Sequence, residues 1–273
     1  MLKSFALVLF CTFFCTALQA DIQRKKPVVY LTFDDGPSSD PVTDQILRVL
    51  KRHNAKATFF VTGLRAQANP EKIRQIIDAG HALGNHTLSH GRLTNLFDHQ
   101  VASELGATNS HVLDAGAPPM SCFRPPFGSY NKSVVEIASR MGLHRVGWSI
   151  DTRDWDRNVT SEEIEIQLED VQNDSVVLMH DGPRARWRSL DVFTRWMDDM
   201  GHLYSFEVVP ECALPNNAPM QLALAPPVFS DSAKTRDPEM TIPALLKKLR
   251  AYKIELRPEV VARSDVSNGV VSN

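Results

Sequence analysis

The stretch VVYLTFDDGP, residues 28–37, decides how the rest of the sequence is interpreted. Five of the six residues 28–33 are β-branched or aromatic, which is typical of a strand buried on both faces of a parallel sheet. Two carboxylates, Asp34 and Asp35, follow at once, and the next two residues, Gly and Pro, turn the chain. Adjacent carboxylates at a buried strand end repel each other, so we expect a cation or a strong partner to compensate them.

Outward from this stretch, β-rich runs alternate with helical periodicity from Pro27 to Pro210. Strand–helix units of about 30 residues predict an α/β fold, in which helices cover a parallel sheet. About seven such units favour a closed or nearly closed barrel over an open sheet. The later predicted strands lie at 58–62, around 145–150, at 175–179 and at 204–209.

The first 20 residues have the layout of a secretory signal peptide. Lys3 precedes an apolar stretch, and small residues follow up to Ala20, after which we expect cleavage. An uncleaved amino-terminal anchor is the alternative. No later segment approaches the ~20 apolar residues of a membrane span. The sequence therefore predicts a secreted or periplasmic protein without a stable membrane span after cleavage.

Composition narrows the function classes. The 273 residues are 43% hydrophobic and 23% charged, as in globular proteins. Thirty basic and 32 acidic residues give a formal net charge of −2, so we expect no nucleic-acid partner. Cleavage would remove Cys11 and Cys15, leaving Cys122 and Cys212. A disulfide between these two and a pair of buried thiols are both compatible with the sequence.

The predicted organisation is a signal peptide at 1–20, one domain at 27–211, and a proline-rich linker and tail at 212–273. A possible short amphipathic helix lies in the tail around 245–252. The oligomeric state is left open.

Four further polar clusters come at or after predicted strand ends, where α/β folds carry their chemistry. In HTLSH, residues 86–90, histidines four apart on one helical turn would point the same way and could bind one metal. With an aspartate, they would form a three-ligand site with an open position, which is typical of catalytic zinc. The other clusters are RPPFG (124–128), DTRDW (151–155) and LMH (178–180).

Together with TFDDGP (32–37), these clusters resemble the five ordered motifs of the polysaccharide deacetylases with a NodB homology domain, the fourth family of carbohydrate esterases. The resemblance covers Pro27 to about Glu211. It implies a distorted (β/α) barrel of about seven parallel strands in a single domain. It also implies removal of N-acetyl groups from an amino-sugar polymer such as peptidoglycan or chitin, with metal-bound water as the nucleophile.

The resemblance assigns a metal site to Asp35, His86 and His90. It implies one divalent cation, for which Zn2+ is the first expectation and Co2+, Mn2+ and Ni2+ are the alternatives.

The resemblance also assigns the catalytic roles. Asp34 is expected to be the general base and His180 the general acid that protonates the leaving amine. Arg124 would orient Asp34, and Asp154 would orient His180. The backbone N–H of Phe127 would help to hold the oxyanion, and this donor is unaffected by the tyrosine that many relatives carry there.

Substrate contacts are predicted for Trp155, Arg184, Arg186 and Trp187. Arginines and tryptophans at the cleft mouth could grip an acetylated glycan that is acidic or that stacks. A solvated loop whose tryptophan packs inward is the alternative for the loop after His180.

Three other functions stay open at this point. The site could remove O-acetyl groups from a polysaccharide, or act as an amidohydrolase on a non-sugar amide. The protein could also be a non-catalytic glycan-binding protein, although five intact motifs argue against that.

Overall fold

The computed structural model describes residues 25–182 and 187–213. The strands are β1 Val28–Asp34, β2 Ala57–Val61, β3 Ala82–Asn85, β4 Cys122–Phe123, β5 His144–Arg145, β6 Ile150–Asp151, β7 Ser175–His180 and β8 Ser205–Phe206. The α-helices are α1 Val42–Arg52, α2 Gly63–Ala68, α3 Pro70–Asp78, α4 Asp98–Asp114, α5 Lys132–Arg140, α6 Ser161–Glu169 and α7 Trp187–Met200. The predicted signal peptide and the tail from 214 onward lie outside the described residues.

The strands form one parallel sheet in the order β5-β4-β3-β2-β1-β7-β6, and β8 pairs with the start of β1. The predicted α/β fold with about seven parallel strands is confirmed: these seven strands curl into a distorted half-barrel. Helix α1 shows how the helices cover it, since its apolar positions Ile46, Val49 and Leu50 are buried. Every strand on the path runs the same way, so all carboxyl ends meet at one edge.

One predicted strand is wrong. The run at 145–150 is not a single strand, because His144–Arg145 and Ile150–Asp151 lie at opposite ends of the sheet. Between them the chain crosses the gap between the two sheet edges. Val146 N donates to the carbonyl of Phe123 at 2.9 Å, and Ser149 N donates to that of Val176 at 2.9 Å. This crossing closes the curled sheet on the side where no strand pairing exists.

Cys122 of β4 and Cys212 form a disulfide, with their Cα atoms 5.0 Å apart. Both residues are buried. The bond ties the end of the described chain to the strand that leads into Arg124.

Among the described residues, every helix falls short of the length and apolar character that a membrane crossing requires.

Candidate active site

Asp34 ends β1 and is buried against Arg124. Arg124 Nη1 donates to Asp34 Oδ1 at 2.8 Å and to Thr32 Oγ1 at 2.7 Å. Its Nη2 donates to the carbonyl oxygen of Gly147 in the crossing segment at 2.7 Å. Burial lowers the pKa of Arg124, and the charge of Asp34 opposes that shift. The predicted pairing of these two residues is therefore present, and the fully buried guanidinium also ties β1 to the crossing segment.

The second carboxylate, Asp35, meets both histidines of the HTLSH cluster. Asp35 Oδ1 lies 3.3 Å from His86 Nε2 and 3.0 Å from His90 Nε2. Despite these short distances, this buried oxygen has no properly aligned hydrogen-bond donor among the described residues. Burial acts to raise the pKa of Asp35, but the two imidazoles outweigh it and hold that pKa far below its ordinary value.

The tautomer of His86 explains what this cluster can bind. Its Nδ1 lies 2.8 Å from the carbonyl oxygen of Arg124, which can only accept, so Nδ1 carries the hydrogen whenever the ring is neutral, as a metal ligand must be. The lone pair of Nε2 then points at Asp35 Oδ1. Two lone pairs facing each other are unfavourable unless a cation lies between them. The three donor atoms lie within 4.8 Å of one another, and an N/O donor set of this kind suits Zn2+.

The histidines come together through a loop, and the predicted helical turn at 86–90 is wrong. Thr87 and His90 have left-handed backbone, with φ of 66° and 59°. Asn85 Oδ1 accepts from Thr87 N at 2.9 Å, and Glu104 of α4 accepts from both the N and the Oγ of Ser89 at 2.9 Å. These contacts, rather than helical spacing, aim both imidazoles at Asp35.

His180 ends β7 and is held by Asp154. Its Nδ1 lies 2.6 Å from Asp154 Oδ1, and Asp154 Oδ2 accepts from the backbone N of His180 at 3.0 Å and from Ser189 Oγ at 2.8 Å. Burial acts to lower the pKa of His180, but the buried carboxylate of Asp154 outweighs it and raises the pKa to about 9. A pKa of about 9 favours the protonated imidazolium at neutral pH.

These residues surround one cavity of about 660 Å³ at the carboxyl ends of the strands. Phe127 lies on its wall, with a left-handed φ of 60° and a ring that is 61% exposed. Its ring centre is 4.8 Å from that of His90. The cavity lining includes Asp34, Asp35, His86, His90, Phe127, Trp148, Asp151, Trp155, Leu178 and His180.

The structure describes two of the four residues predicted to contact the substrate. Trp155 lines the cavity, and its indole N–H donates to Asp151 Oδ1 at 3.2 Å. Trp187 opens α7 and is exposed, but it is not among the cavity-lining residues. Arg184 and Arg186 lie outside the described residues, so their role stays a prediction.

Asp181, the residue after His180, was missed as a site residue. It is buried, its Oδ2 accepts from Thr43 Oγ1 at 2.7 Å, and its backbone N donates to the carbonyl of Asp34 at 3.0 Å. Burial raises its pKa to about 7, with Asp35 and Asp34 adding to the shift. The available signal was a carboxylate directly after a strand-ending histidine. Asp181 packs beneath the loop that carries Asp35.

Comparisons with known proteins agree with this geometry. The sequence model of a family described as polysaccharide deacetylase matches residues 21–146. The chain is 36% identical over 183 residues to the peptidoglycan-N-acetylglucosamine deacetylase of Listeria monocytogenes. The aligned residues make up 67% of this chain but only 38% of that protein. It is 38% identical over 159 residues to a chitooligosaccharide deacetylase of Sinorhizobium fredii. Here the aligned residues make up 57% of this chain and 73% of that protein.

Among solved structures, the fold is similar to a family 4 carbohydrate esterase from Streptomyces lividans in complex with acetate. The TM-score is 0.61 at 31% identity, over 68% of this chain and 94% of that one.

Proposed function

The chain belongs to the polysaccharide deacetylase family, and on that premise we propose that it is a metal-dependent hydrolase that removes N-acetyl groups from an amino-sugar polymer of the peptidoglycan or chitin type. The observation that carries the proposal is the pairing of two proton carriers at one strand edge. Asp34 and His180 lie side by side in the register of β1 and β7, next to the Asp35–His86–His90 cluster. Amide hydrolysis needs a base for water and an acid for the leaving amine, and this edge offers both.

Asp35, His86 and His90 would hold one divalent cation, with Zn2+ the best match to the donor set and Co2+, Mn2+ and Ni2+ as alternatives. Such a cation, when bound, lowers the pKa of water to about 7 and polarises a carbonyl oxygen. The separations of 3.0 and 3.3 Å between Asp35 Oδ1 and the two Nε2 atoms fit this role. They are close to the edge of a tetrahedron whose ligand bonds are about 2.0–2.1 Å long.

Asp34 would act as the general base. Arg124 occupies its Oδ1, and its Oδ2 faces the metal cluster, 3.8 Å from His86 Nε2. One oxygen is thus fixed by the guanidinium while the other is directed at the place where water must attack. Arg124 is a positioning residue in this scheme, since it does not line the cavity.

His180 would act as the general acid. Its Nδ1 is engaged by Asp154, and its pKa of about 9 keeps it protonated at neutral pH. It lines the cavity, so it can give a proton to the amine nitrogen as the C–N bond breaks. Water adds to the carbonyl carbon, its proton passes to Asp34, and the products are acetate and the free amino sugar.

The backbone N–H of Phe127 would stabilise the oxyanion of the tetrahedral intermediate. The left-handed conformation at Phe127 supports this, because it re-aims the peptide of a loop on the cavity wall. Trp155 would offer an indole face to a sugar ring at the same cavity.

Secretion to the periplasm or the medium is part of the proposal. The family match begins at residue 21, directly after the predicted signal peptide. The Cys122–Cys212 disulfide suits an oxidising compartment. The catalytic domain would begin near residue 27 and end just beyond Cys212, and no role is assigned to the tail.

Acetate release from chitin oligomers, peptidoglycan and acetylated xylan, with and without chelator, tests the function. We expect chelator-sensitive release from at least one amino-sugar polymer. Release from acetylated xylan alone would instead show an O-deacetylase. No release from any of the three, despite bound metal, would favour a non-sugar amide or a binding protein.

A further inference from the structure

Three arginines lie over exposed aromatic rings, and two of these rings, Phe127 and Trp155, line the cavity. The guanidinium carbon of Arg92 lies 4.7 Å from the ring centre of Phe127. That of Arg145 lies 4.1 Å from the ring of Tyr130, and that of Arg153 lies 5.8 Å from the ring of Trp155. All three arginines are exposed. We call Arg92, Arg145 and Arg153 the rim arginines.

Two of the rim arginines flank rings that line the cavity. Phe127 and Trp155 both belong to the lining, together with Gly128 and Trp148. Gly128 packs closely on Trp148, because a Cβ at Gly128 would lie 2.8 Å from that indole. Arg92 therefore lies beside the cavity at Phe127, and Arg153 lies beside it at Trp155.

Arg145 lies beside the crossing segment, three residues before Trp148 of the cavity lining. It belongs to β5, at the start of the crossing segment that carries Trp148 into the cavity. A Cβ at Gly147 would lie 3.7 Å from Arg145 Nη1, so this guanidinium runs alongside the crossing segment.

The rim arginines are largely free to bind an anion. Within the described parts of the chain, Arg92 and Arg145 make no ion pair, and Arg153 makes one solvent-exposed contact with Asp156 at 3.4 Å. Stacking on an aromatic ring uses only the face of a guanidinium, so its in-plane N–H groups remain available. Those N–H groups can donate two parallel hydrogen bonds to one carboxylate, in a bidentate geometry. Stacking also limits the rotamers of a long side chain, which reduces the entropy lost on binding.

In the interior of the cavity the cationic side chains are already engaged, because Arg124 donates to Asp34 and His180 is paired with Asp154. An anionic substituent therefore finds unengaged guanidinium groups on the rim rather than inside the cavity. Arg92 is one ring away from the predicted metal site, because it lies over the Phe127 ring, which meets the His90 ring edge-on. A sugar whose acetyl group enters the site would thus bring its neighbours to the rim arginines.

We propose that Arg92, Arg145 and Arg153 form a carboxylate-binding rim that selects amino-sugar chains carrying acidic substituents over neutral chains. The inference rests on the proposed function, since it names the substrate class of the same site. Each exposed contact is expected to contribute little, so the preference comes from the three acting together.

A matched pair of soluble polymers tests the rim: carboxymethyl chitin, which is anionic, and hydroxyethyl chitin, which is neutral. Dissociation constants are measured on metal-loaded Asp34→Asn protein, in which turnover is expected to be lost. The ratio of kcat/KM on the two polymers provides a second readout, and it is measured on protein that keeps Asp34.

The test variant combines Arg92→Gln, Arg145→Gln and Arg153→Gln. Arg140→Gln is the control, because Arg140 is an exposed arginine at the end of α5, where the chain is about to enter the amino end of β5, whereas the cavity lies at the carboxyl ends of the strands.

We expect the protein with its arginines intact to bind carboxymethyl chitin about tenfold more tightly than hydroxyethyl chitin, and 0.5 M NaCl to erase most of that difference. The triple variant should lose the preference in both readouts, and Arg140→Gln should keep it. Equal affinity for the two polymers before substitution, or an unchanged preference in the triple variant, would overturn the rim. Absence of acetate release from both polymers would count against the proposed function instead, and the binding comparison would still decide on the rim.

Discussion

Asp34 and His180 are register partners, and each is the last residue of its strand. Each forms an ion pair with a buried group of opposite charge, which is Arg124 for Asp34 and Asp154 for His180. Because the strands are parallel neighbours, one carboxylate and one imidazolium reach the same cavity from adjacent positions. The fold therefore separates an acid and a base by one strand spacing without letting either neutralise the other directly.

Replacing Asp34 with Asn should lower kcat for acetate release by about a thousandfold, because the amide cannot take up the proton of water. Asp34 is not one of the three predicted ligands, so bound metal should remain near the level of the unaltered protein. Acetate assay and elemental analysis of the same sample measure both. Full activity in Asp34→Asn would rule out its role as the base.

Replacing Asp154 with Asn should move the alkaline limb of the kcat/KM profile to lower pH. His180 must be protonated to donate, and its pKa of about 9 depends on Asp154, while burial acts to lower it. Without that carboxylate we expect the limb to fall by at least about one pH unit. The control is Asp198→Asn, which removes the exposed carboxylate beside His53. An alkaline limb that stays in place in Asp154→Asn would contradict the assignment of His180 as the acid.

Gly182 should be required for metal binding. A Cβ there would lie 2.5 Å from the Cβ of Asp35, so Gly182→Ala must displace this predicted ligand. We expect a loss of Zn2+ affinity of at least about tenfold, as for other disturbances around metal ligands. Gly106 lies inside α4, with only the end of the Met141 side chain near its Cβ position, at 3.6 Å. Gly106→Ala should therefore leave the affinity unchanged and stabilise the helix by about 0.5–1 kcal/mol.

A competition titration with a chromophoric chelator measures both glycine variants. Equal Zn2+ affinity in the two would show that Asp35 does not hold the metal.

His81 should make folding sensitive to acid. Burial, helped by the charge of Lys56, lowers its pKa from 6.5 to about 4, and its Nδ1 accepts from the backbone N of Ala57 at 3.2 Å. The unfolded chain therefore binds the extra proton as pH falls from 6.5 to 4, and stability is lost across that window. The loss is about 3 kcal/mol at most.

In His81→Asn, an amide oxygen can accept the same hydrogen bond without titrating. Denaturant unfolding in the presence of chelator should then show a shallower loss of stability between pH 6.5 and 4. His99→Asn, which changes an exposed histidine, should keep the original slope. Parallel slopes in all three proteins would exclude His81 as the cause.

The gathering of the five motifs could be predicted because the carboxyl ends of parallel strands meet at one edge, wherever the strands lie along the sequence. The geometry of the HTLSH loop could not. Its left-handed residues, Thr87 and His90, depend on contacts from Asn85 and Glu104, and the contact from Glu104 comes from a different element.

The crossing between the sheet edges also could not be predicted from the sequence. A short apolar run around residues 145–150 fits one strand as well as two, and only the curl of the sheet decides between them. The Cys122–Cys212 bond likewise depends on a proximity that residue spacing does not reveal.

A metal titration tests the central claim most directly. Protein stripped with chelator is titrated with Zn2+ while acetate release from chitin oligomers and from peptidoglycan is followed. We expect no release at the start, a linear rise with added metal, and a plateau at one equivalent per chain. Release that is already complete in the stripped protein, or that does not respond to any divalent cation, would contradict it.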